Sequence, residues 1–327
     1  MNEKCRIGVI GVGHLGRIHA KLLKEIAEAD LVGVYDSDQG KAVQVANEFQ
    51  TKAFSTYTGL LNEVDAVVIA ASTIAHHELA LEALHAKVNL LVEKPLADTP
   101  VHARDIIDGF SKTGLKLTVG HIERFNQAVR ALDGINIAPR FIEAHRLAAF
   151  TLRGADVAVI HDLMIHDLDL ILHWVDAPIK RLDASGVAVI SDTPDIANVR
   201  IAFENGCVAN ITASRISRHK MRRMRMFQEN AYLSLDFAEG KAEMYRLAAP
   251  DEEGLPALEL GQIEKGSQPR KILYQQPQAP EGNALKLELE QFIQSVLLDT
   301  PVAVSGEDGL RAVQLAHEIL TQIEEES

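Results

Sequence analysis

The chain has 327 residues, 47% of them hydrophobic, and 33 Lys and Arg against 46 Asp and Glu leave a formal net charge of −13 at pH 7. That length suits two domains, each with its own core, and the acidic balance argues against a nucleic-acid partner. Two cysteines far apart, Cys5 and Cys207, argue against a disulfide scaffold and for a reducing, cytoplasmic setting; no apolar run nears the roughly 20 residues of a membrane span, and the N-terminal apolar stretch, short and broken by glycines, has no secretory pattern.

The first apolar run, Ile7–Ile10, reads as a buried strand and leads directly into Gly11-Val12-Gly13-His14-Leu15-Gly16. A helical pattern follows (Leu15, Ile18, Leu22, Leu23, Ile26), then a second strand, Leu31–Tyr35, that ends in Asp36. Glycines reach a G-x-G-x-x-G spacing by chance, and a structural glycine turn is the plain alternative. The strand before it, the helix after it and an acid about 20 residues on make it a dinucleotide motif. Gly11 allows the tight turn, Gly13 lets the backbone approach a pyrophosphate, and Gly16 lets helix and strand pack closely, with the anion at the helix N-terminus. Asp36 suits the adenosine ribose hydroxyls. A 2′-phosphate about 4 Å away would be repelled by about 4 kcal/mol per charge pair at an effective dielectric near 20. NAD is therefore expected over NADP, with Arg17 the nearby residue that would favour a 2′-phosphate.

The strand-like runs Ala66–Ala70, Leu90–Val92 and Leu117–Val119 alternate with helical stretches such as Gly40–Phe49 and His76–Ala86. That rhythm predicts an α/β domain with a doubly wound parallel sheet over residues 1–120. A second domain is expected over 121–305. It opens with a helical pattern from about Asp156 to Val175 and continues as strands. Val199, Ile201 and Phe203 share a face, Asn205-Gly206 marks a hairpin, and Ala209, Ile211 and Ala213 continue beyond it. Met224–Phe227 and Tyr232–Leu235 flank a turn at Glu229-Asn230. This half reads as α+β, a mostly antiparallel sheet with helices on one face and the other face open. Residues 250–282 read as extended loops with one strand, Lys271–Tyr274. Helices follow at Ala284–Leu298 and Glu307–Glu325; residues 306–327 are expected to pack back on the first domain. Ser305 is a plausible N-cap, with Asp308 where a capping box has Glu or Gln.

Glu93-Lys94-Pro95 follows Leu90–Val92 and so sits at the carboxyl end of a strand, the edge where open α/β sheets bind ligands. A lysine there suits a substrate hydroxyl and the negative charge that develops as hydride leaves; an ordinary surface turn is the alternative. Pro95 would fix the backbone, with a cis bond as one option. Asp162 and His166, four apart, share a helix face. An imidazole that titrates near neutrality beside a carboxylate suits acid–base work. A metal site drawing on Asp169 and His173 competes with that reading, as does a solvated polar stripe; no metal is expected, because no His-x-x-x-His pair and no thiolate is present. The basic stretch Arg215–Arg225 would put Arg223 and Arg225 on one face of a strand, to meet a diphosphate, solvent or a second subunit. His76, His77 and His121 are candidates either for the site or for the core.

Together these segments resemble the glucose–fructose oxidoreductase / inositol dehydrogenase / MocA family along essentially the whole chain. The likeness lies in Gly11–Gly16, in Ala71-Ser72-Thr73 with His76 and Ala80, in Leu91–Leu96, in Val119-Gly120-His121 with Arg124-Phe125-Asn126, and in Asp162-x-x-x-His166. The resemblance implies a Rossmann domain followed by an α+β substrate domain, and NAD-dependent oxidation of a hydroxyl to a ketone. It implies Lys94, Asp162 and His166 as the catalytic residues. To the cofactor it assigns Gly11, Gly13, His14, Leu15, Gly16, Asp36, Ala71, Ser72, Thr73, His76, Glu93 and Lys94. To the substrate it assigns Lys94, His121, Arg124, Asn126, Asp162, His166 and Arg215. The family usually has glycines just before the aspartate, where this chain has Val157-Ala158-Val159. A finer resemblance, in Val119–Asn126, Asp162–Asp169 and Ser214–Ser217, is to dehydrogenases acting at C3 of UDP-N-acetylglucosamine in amino-sugar (lipid A type) synthesis. A free-sugar or cyclitol dehydrogenase and a non-catalytic NAD-binding regulator are the alternatives. The open sheet and the family imply a homodimer or homotetramer through the second domain.

Overall fold

A computed structural model describes residues 4–149, 157–249, 252, 257–265 and 268–325. In chain order the first elements are β1 (Cys5–Ile10), α1 (His14–Glu25), β2 (Ala29–Tyr35), α2 (Gln39–Glu48), β3 (Lys52–Ala53), α3 (Tyr57–Leu61), β4 (Ala66–Ile69), α4 (Thr73–His85), β5 (Asn89–Glu93), α5 (Pro100–Phe110) and β6 (Leu117–Gly120). A 3₁₀ turn, Ile122–Phe125, and α6 (Gln127–Arg130) lead to β7 (Pro139–Leu147). A π-helical turn, Ile160–Met164, runs straight into α7 (Ile165–Trp174). Then come β8 (Ile179–Val187), β9 (Ile196–Phe203), β10 (Val208–Ser214), β11 (Met221–Gln228), β12 (Ala231–Asp236), β13 (Lys241–Leu247), β14 (Leu258–Lys265) and β15 (Gln268–Gln275). The last helices are α8 (Ala284–Leu298) and α9 (Gly306–Glu325).

The chain divides into two compact units, one comprising residues up to Phe125 together with Gly282–His317, the other Asn126–Glu281 together with the residues from Glu318 on. In the first, six parallel strands run in the order β3-β2-β1-β4-β5-β6, the doubly wound arrangement. The inner strand β4 is apolar on both faces and wholly buried, as helices on both sides of a parallel sheet require, and every residue of the edge strand β6 is buried too. Side chains cap the helices that pack on it. Asp38 accepts from the amides of Gly40 and Lys41, Thr99 from that of His102, and Asn283 from those of Leu285 and Lys286. Ser305 and Asp308 close a reciprocal box, Asp308 N–H to Ser305 Oγ at 3.2 Å and Ser305 N–H to Asp308 Oδ2 at 2.9 Å, so the shorter acid does the work of Glu. A boundary at residue 305 is not what is seen for this region. Leu285, Leu289, Phe292 and Ile293 of α8 are buried in one core with Ile7, Val9, Leu23 and Leu31, and α8 belongs with the first unit. Gly306 and Gly309 of α9 lie against Leu117 and Val119 of β6.

The second unit carries a nine-stranded sheet, β14-β15-β13-β12-β11-β7-β10-β9-β8, antiparallel except where β7 meets β10. Alternation is clean: Val199, Ile201, Ala209, Ile211, Met224, Met226, Leu233 and Leu235 are buried. The β9–β10 hairpin turns at Asn205-Gly206, with Gly206 at φ 83°, and the β11–β12 turn puts Asn230 at φ 64°. On the face away from α7 an aromatic row crosses five strands, from Phe141 through Phe227, Tyr232 and Tyr245 to Tyr274, with successive rings 4.8–5.9 Å apart. Two features differ from the pattern expected of the sequence. Residues 258–275 form a hairpin rather than a loop with a single strand, because β14 pairs along β15 from Leu258 to Lys265. The helix expected from about Asp156 opens with the π turn before becoming α-helical; Asp156 itself lies outside the described residues.

Candidate active site

The first unit gathers three turns at the carboxyl ends of its strands into a cradle around an open cleft. Gly11 takes φ 83°, and a Cβ there would lie 2.7 Å from the Ala71 backbone; a Cβ on Gly16 would lie 1.8 Å from the Gly11 carbonyl oxygen. At Gly13, by contrast, a Cβ would meet nothing within 4 Å. The first and third glycines are thus demanded by packing, and the second faces open space at the start of α1, as a backbone that receives a pyrophosphate must. Asp36 is held from two sides: its Oδ2 accepts from Val12 N–H at 2.8 Å and its Oδ1 from Asp38 N–H at 2.9 Å. A cleft of about 440 Å³ runs from Gly11 and Gly13 past Asp36 to Ser72 and is walled by Tyr35, Tyr57 and Glu78. Ser72 and Thr73 begin α4, and His14 and Leu15 begin α1, so all four lie at helix N-termini. Arg17 is ion-paired with Glu48.

Lys94 is half-buried at the end of β5, where the Lys94–Pro95 peptide is cis. Its surroundings are tied down by two buried histidines. His76 lies between two carbonyls, that of Pro95 at 2.9 Å from Nδ1 and that of Ala71 at 3.2 Å from Nε2; burial lowers its pKa, and the two carbonyls act in the opposite sense. Glu93 points inward, its Oε1 2.6 Å from His19 Nε2 on α1. His19 is not among the residues expected from the sequence. The signal was present, since it lies in the apolar stripe of α1 between Leu15 and Leu22, where a polar residue needs a partner. Glu288 of α8 is buried as well; burial, then the nearby Glu93 charge, pushes its carboxyl pKa well above the ordinary range.

In the second unit, Asp162 lies in the π turn and His166 in the first turn of α7; both are half-buried, whereas Asp167 and Asp169 are buried. Ile165 N–H reaches back to the Ile160 carbonyl, the wider i→i+5 closure that often marks functional segments. Asp167 is gripped by Arg146 of β7 through two parallel bonds, Nε to Oδ2 at 2.8 Å and Nη2 to Oδ1 at 2.9 Å.

The remaining expected residues divide by role. His121 is buried just past β6, and the Arg124 guanidinium lies 3.8 Å from the Asp308 carboxylate. Asn126 caps α6 by accepting from Ala128 N–H and donates to the Phe237 carbonyl. Arg215 is buried and ion-paired with Asp195 at 2.7 Å rather than displayed on a surface. Arg223 and Arg225 are paired with Asp236 and Glu143, so the basic row is neutralised strand to strand. Among the described residues no group of three or more His, Cys, Asp or Glu is arranged to hold a metal ion, and no helix is long and apolar enough to cross a membrane.

Comparison with known proteins agrees with this architecture. Residues 5–121 match the oxidoreductase family with an NAD-binding Rossmann fold, and residues 140–234 match the GFO/IDH/MocA C-terminal domain. The chain is 37% identical over 320 residues to UDP-N-acetylglucosamine 3-dehydrogenase of Acidithiobacillus ferrooxidans, covering 98% of this chain and 97% of the other. It is 27% identical to myo-inositol 2-dehydrogenase of Thermotoga maritima, covering 98% and 96%. A solved structure of the Acidithiobacillus enzyme superposes with a TM-score of 0.88 at 36% identity, covering 98% of each chain.

Proposed function

Because the chain belongs to the glucose–fructose oxidoreductase / inositol dehydrogenase / MocA family of oxidoreductases, we propose that it is an NAD-dependent dehydrogenase that oxidises C3 of UDP-N-acetylglucosamine to a ketone. The likeness to a UDP-N-acetylglucosamine 3-dehydrogenase along nearly the whole chain carries the substrate. The lower likeness to a myo-inositol 2-dehydrogenase makes a cyclitol the second reading.

The residues present fit a dinucleotide: the open approach at Gly13, the carboxylate of Asp36 fixed at the rim of the cleft, and helix N-termini aimed at it. Two observations favour NAD over NADP. Asp36 and Glu78 both line the cleft, so a 2′-phosphate would meet two carboxylates, and Arg17 is engaged by Glu48. When bound, NAD supplies the hydride acceptor. The protein's own part is to move the proton and hold the charge. His166 takes the hydroxyl proton on its imidazole, with Asp162 four residues earlier orienting the ring or the sugar. The Lys94 ammonium steadies the negative charge that grows as the C–H hydride leaves. His76 and Glu93 brace the turn that carries Lys94, and His121, Arg124 and Asn126 are the residues assigned to substrate contact in this reading. The half-buried aromatic row of the second sheet supports a homodimer or homotetramer through that face. Free, buried Cys5 and Cys207 suit the cytoplasm.

The test is absorbance of the reduced nicotinamide with NAD or NADP and either UDP-N-acetylglucosamine or myo-inositol. Reduction of NAD by the nucleotide sugar, at least tenfold above that by inositol, supports the reading; no reduction with the nucleotide sugar defeats it. In the active combination Lys94→Ala is expected to lower kcat by about 10²-fold or more.

A further inference from the structure

Arg215 stands at the head of the most basic stretch of the chain, yet its guanidinium is directed into the second unit. Its Nε donates to Asp195 Oδ1 at 2.7 Å, its Nη2 to Ser191 Oγ at 2.7 Å and Thr193 Oγ1 at 2.9 Å, and its Nη1 to the Val157 carbonyl. Asp195 is fully buried. Its Oδ2 accepts the backbone N–H groups of Val189, Ile190 and Ser191 at 2.7, 2.7 and 3.1 Å, and its Oδ1 also accepts from Ser191 Oγ at 2.8 Å. These bonds hold its carboxyl well below the usual carboxylate range, although burial alone would raise it. The main chain repeats the link: Arg215 N–H donates to the Asp195 carbonyl at 3.0 Å, and Val159 N–H to the Pro194 carbonyl at 3.0 Å.

Both backbone groups held in this way, the Val157 carbonyl and the Val159 N–H, immediately precede the π turn that carries Asp162. Farther along the same helical segment, in the first turn of α7, Asp167, next to His166, is gripped by Arg146. Asp162 and His166 therefore lie between two buried arginine–aspartate pairs, one at the segment's entry and one on its inner face. A helix tied at one point can still turn about it; tied at two, it is fixed in both depth and rotation.

We infer that Arg215 and Asp195 are positioning residues that set the placement of the helical turn bearing Asp162 and His166, and that Arg215 is not a ligand of the substrate diphosphate. The inference rests on the catalytic reading of Asp162 and His166 given above. A lysine at 215 keeps the charge but has one compact ammonium in place of the guanidinium fork, so it cannot reach Asp195, Thr193 and the Val157 carbonyl together.

The test compares wild type with Arg215→Lys by hydrogen exchange and by kinetics with NAD and UDP-N-acetylglucosamine. Expected are faster amide exchange in the peptide covering residues 157–166, unchanged exchange over β1 and α1, and a kcat reduced by about 10- to 100-fold with KM for NAD unchanged. Arg223→Ala, a surface control from the same basic stretch, is expected to match wild type in both measurements. If Arg215→Lys does not fold, Thr193→Val removes one acceptor and leaves the ion pair, and the same pattern is expected on a smaller scale. Unchanged exchange over 157–166, or a raised KM for the nucleotide sugar at constant kcat, overturns the inference. Exchange is read without turnover, so it decides the matter even if UDP-N-acetylglucosamine is not oxidised.

Discussion

At the scale of single residues, the glycines of the cradle make opposite predictions. Gly13 has a φ of −61° and open space where its Cβ would be. Gly13→Ala should therefore fold as well as wild type, with a Tm equal or slightly higher, since removing a glycine where the backbone permits it stabilises by roughly 0.4–1 kcal/mol. NAD affinity should nonetheless fall at least tenfold, read by fluorescence titration. Gly16→Ala drives a Cβ into the Gly11 carbonyl and should lose both affinity and about 1–3 kcal/mol of stability. Glu288 makes a pH prediction. Its raised pKa means that the folded chain keeps a proton that the unfolded chain releases above its ordinary value of 4.5. Stability is then full below that value and declines as pH rises toward the folded pKa, at up to about 1.4 kcal/mol per pH unit. Glu288→Gln lacks this decline, so its Tm relative to wild type should climb from about pH 5 to pH 8; parallel Tm curves would refute the assignment. Charge also shows what single residues in a sequence hide. Arg215 sits in a run of cations that looks displayed, yet its partner Asp195 lies twenty residues away, just before β9, beyond the reach of local pattern.

At the scale of elements, legibility follows from whether the deciding interaction is local. The β1–α1–β2 passage is readable because the glycine spacing and the apolar periods lie within one short segment. The β9–β10 hairpin is readable because Asn205-Gly206 specifies its turn. The β14 strand was not, since Leu258, Leu260 and Ile263 are exposed alongside Glu259, Gln262 and Glu264, and no alternation marks a face. Nor was the π turn, because a single i→i+5 closure leaves no period in the sequence. The Arg146–Asp167 clamp is testable by itself. Asp167→Ala leaves a buried guanidinium without its carboxylate and should lose about 3–5 kcal/mol by urea denaturation. The double replacement Arg146→Met with Asp167→Leu, which removes both charges, should recover most of that loss, whereas additive losses would show that the pair is not the interaction at stake.

At the scale of the whole molecule, the aromatic row spans the second sheet on the face that α7 does not cover. A glutamate in the middle of it, Tyr232→Glu, should convert the proposed oligomer to monomer in light scattering while leaving the circular dichroism of the subunit intact. An unchanged mass would place the subunit contact elsewhere. The separation of the two units was only partly legible in the sequence, because Gly282–His317 returns to the first unit: α8 completes the core that β1 and α1 begin. That return has a consequence for how the protein is made. Translation at about 5–20 residues per second leaves the first unit waiting roughly ten to thirty seconds for α8 to emerge. During that interval the side of β1 and α1 that Leu289 and Phe292 will cover is bare, and it is this nascent surface that a chaperone would meet.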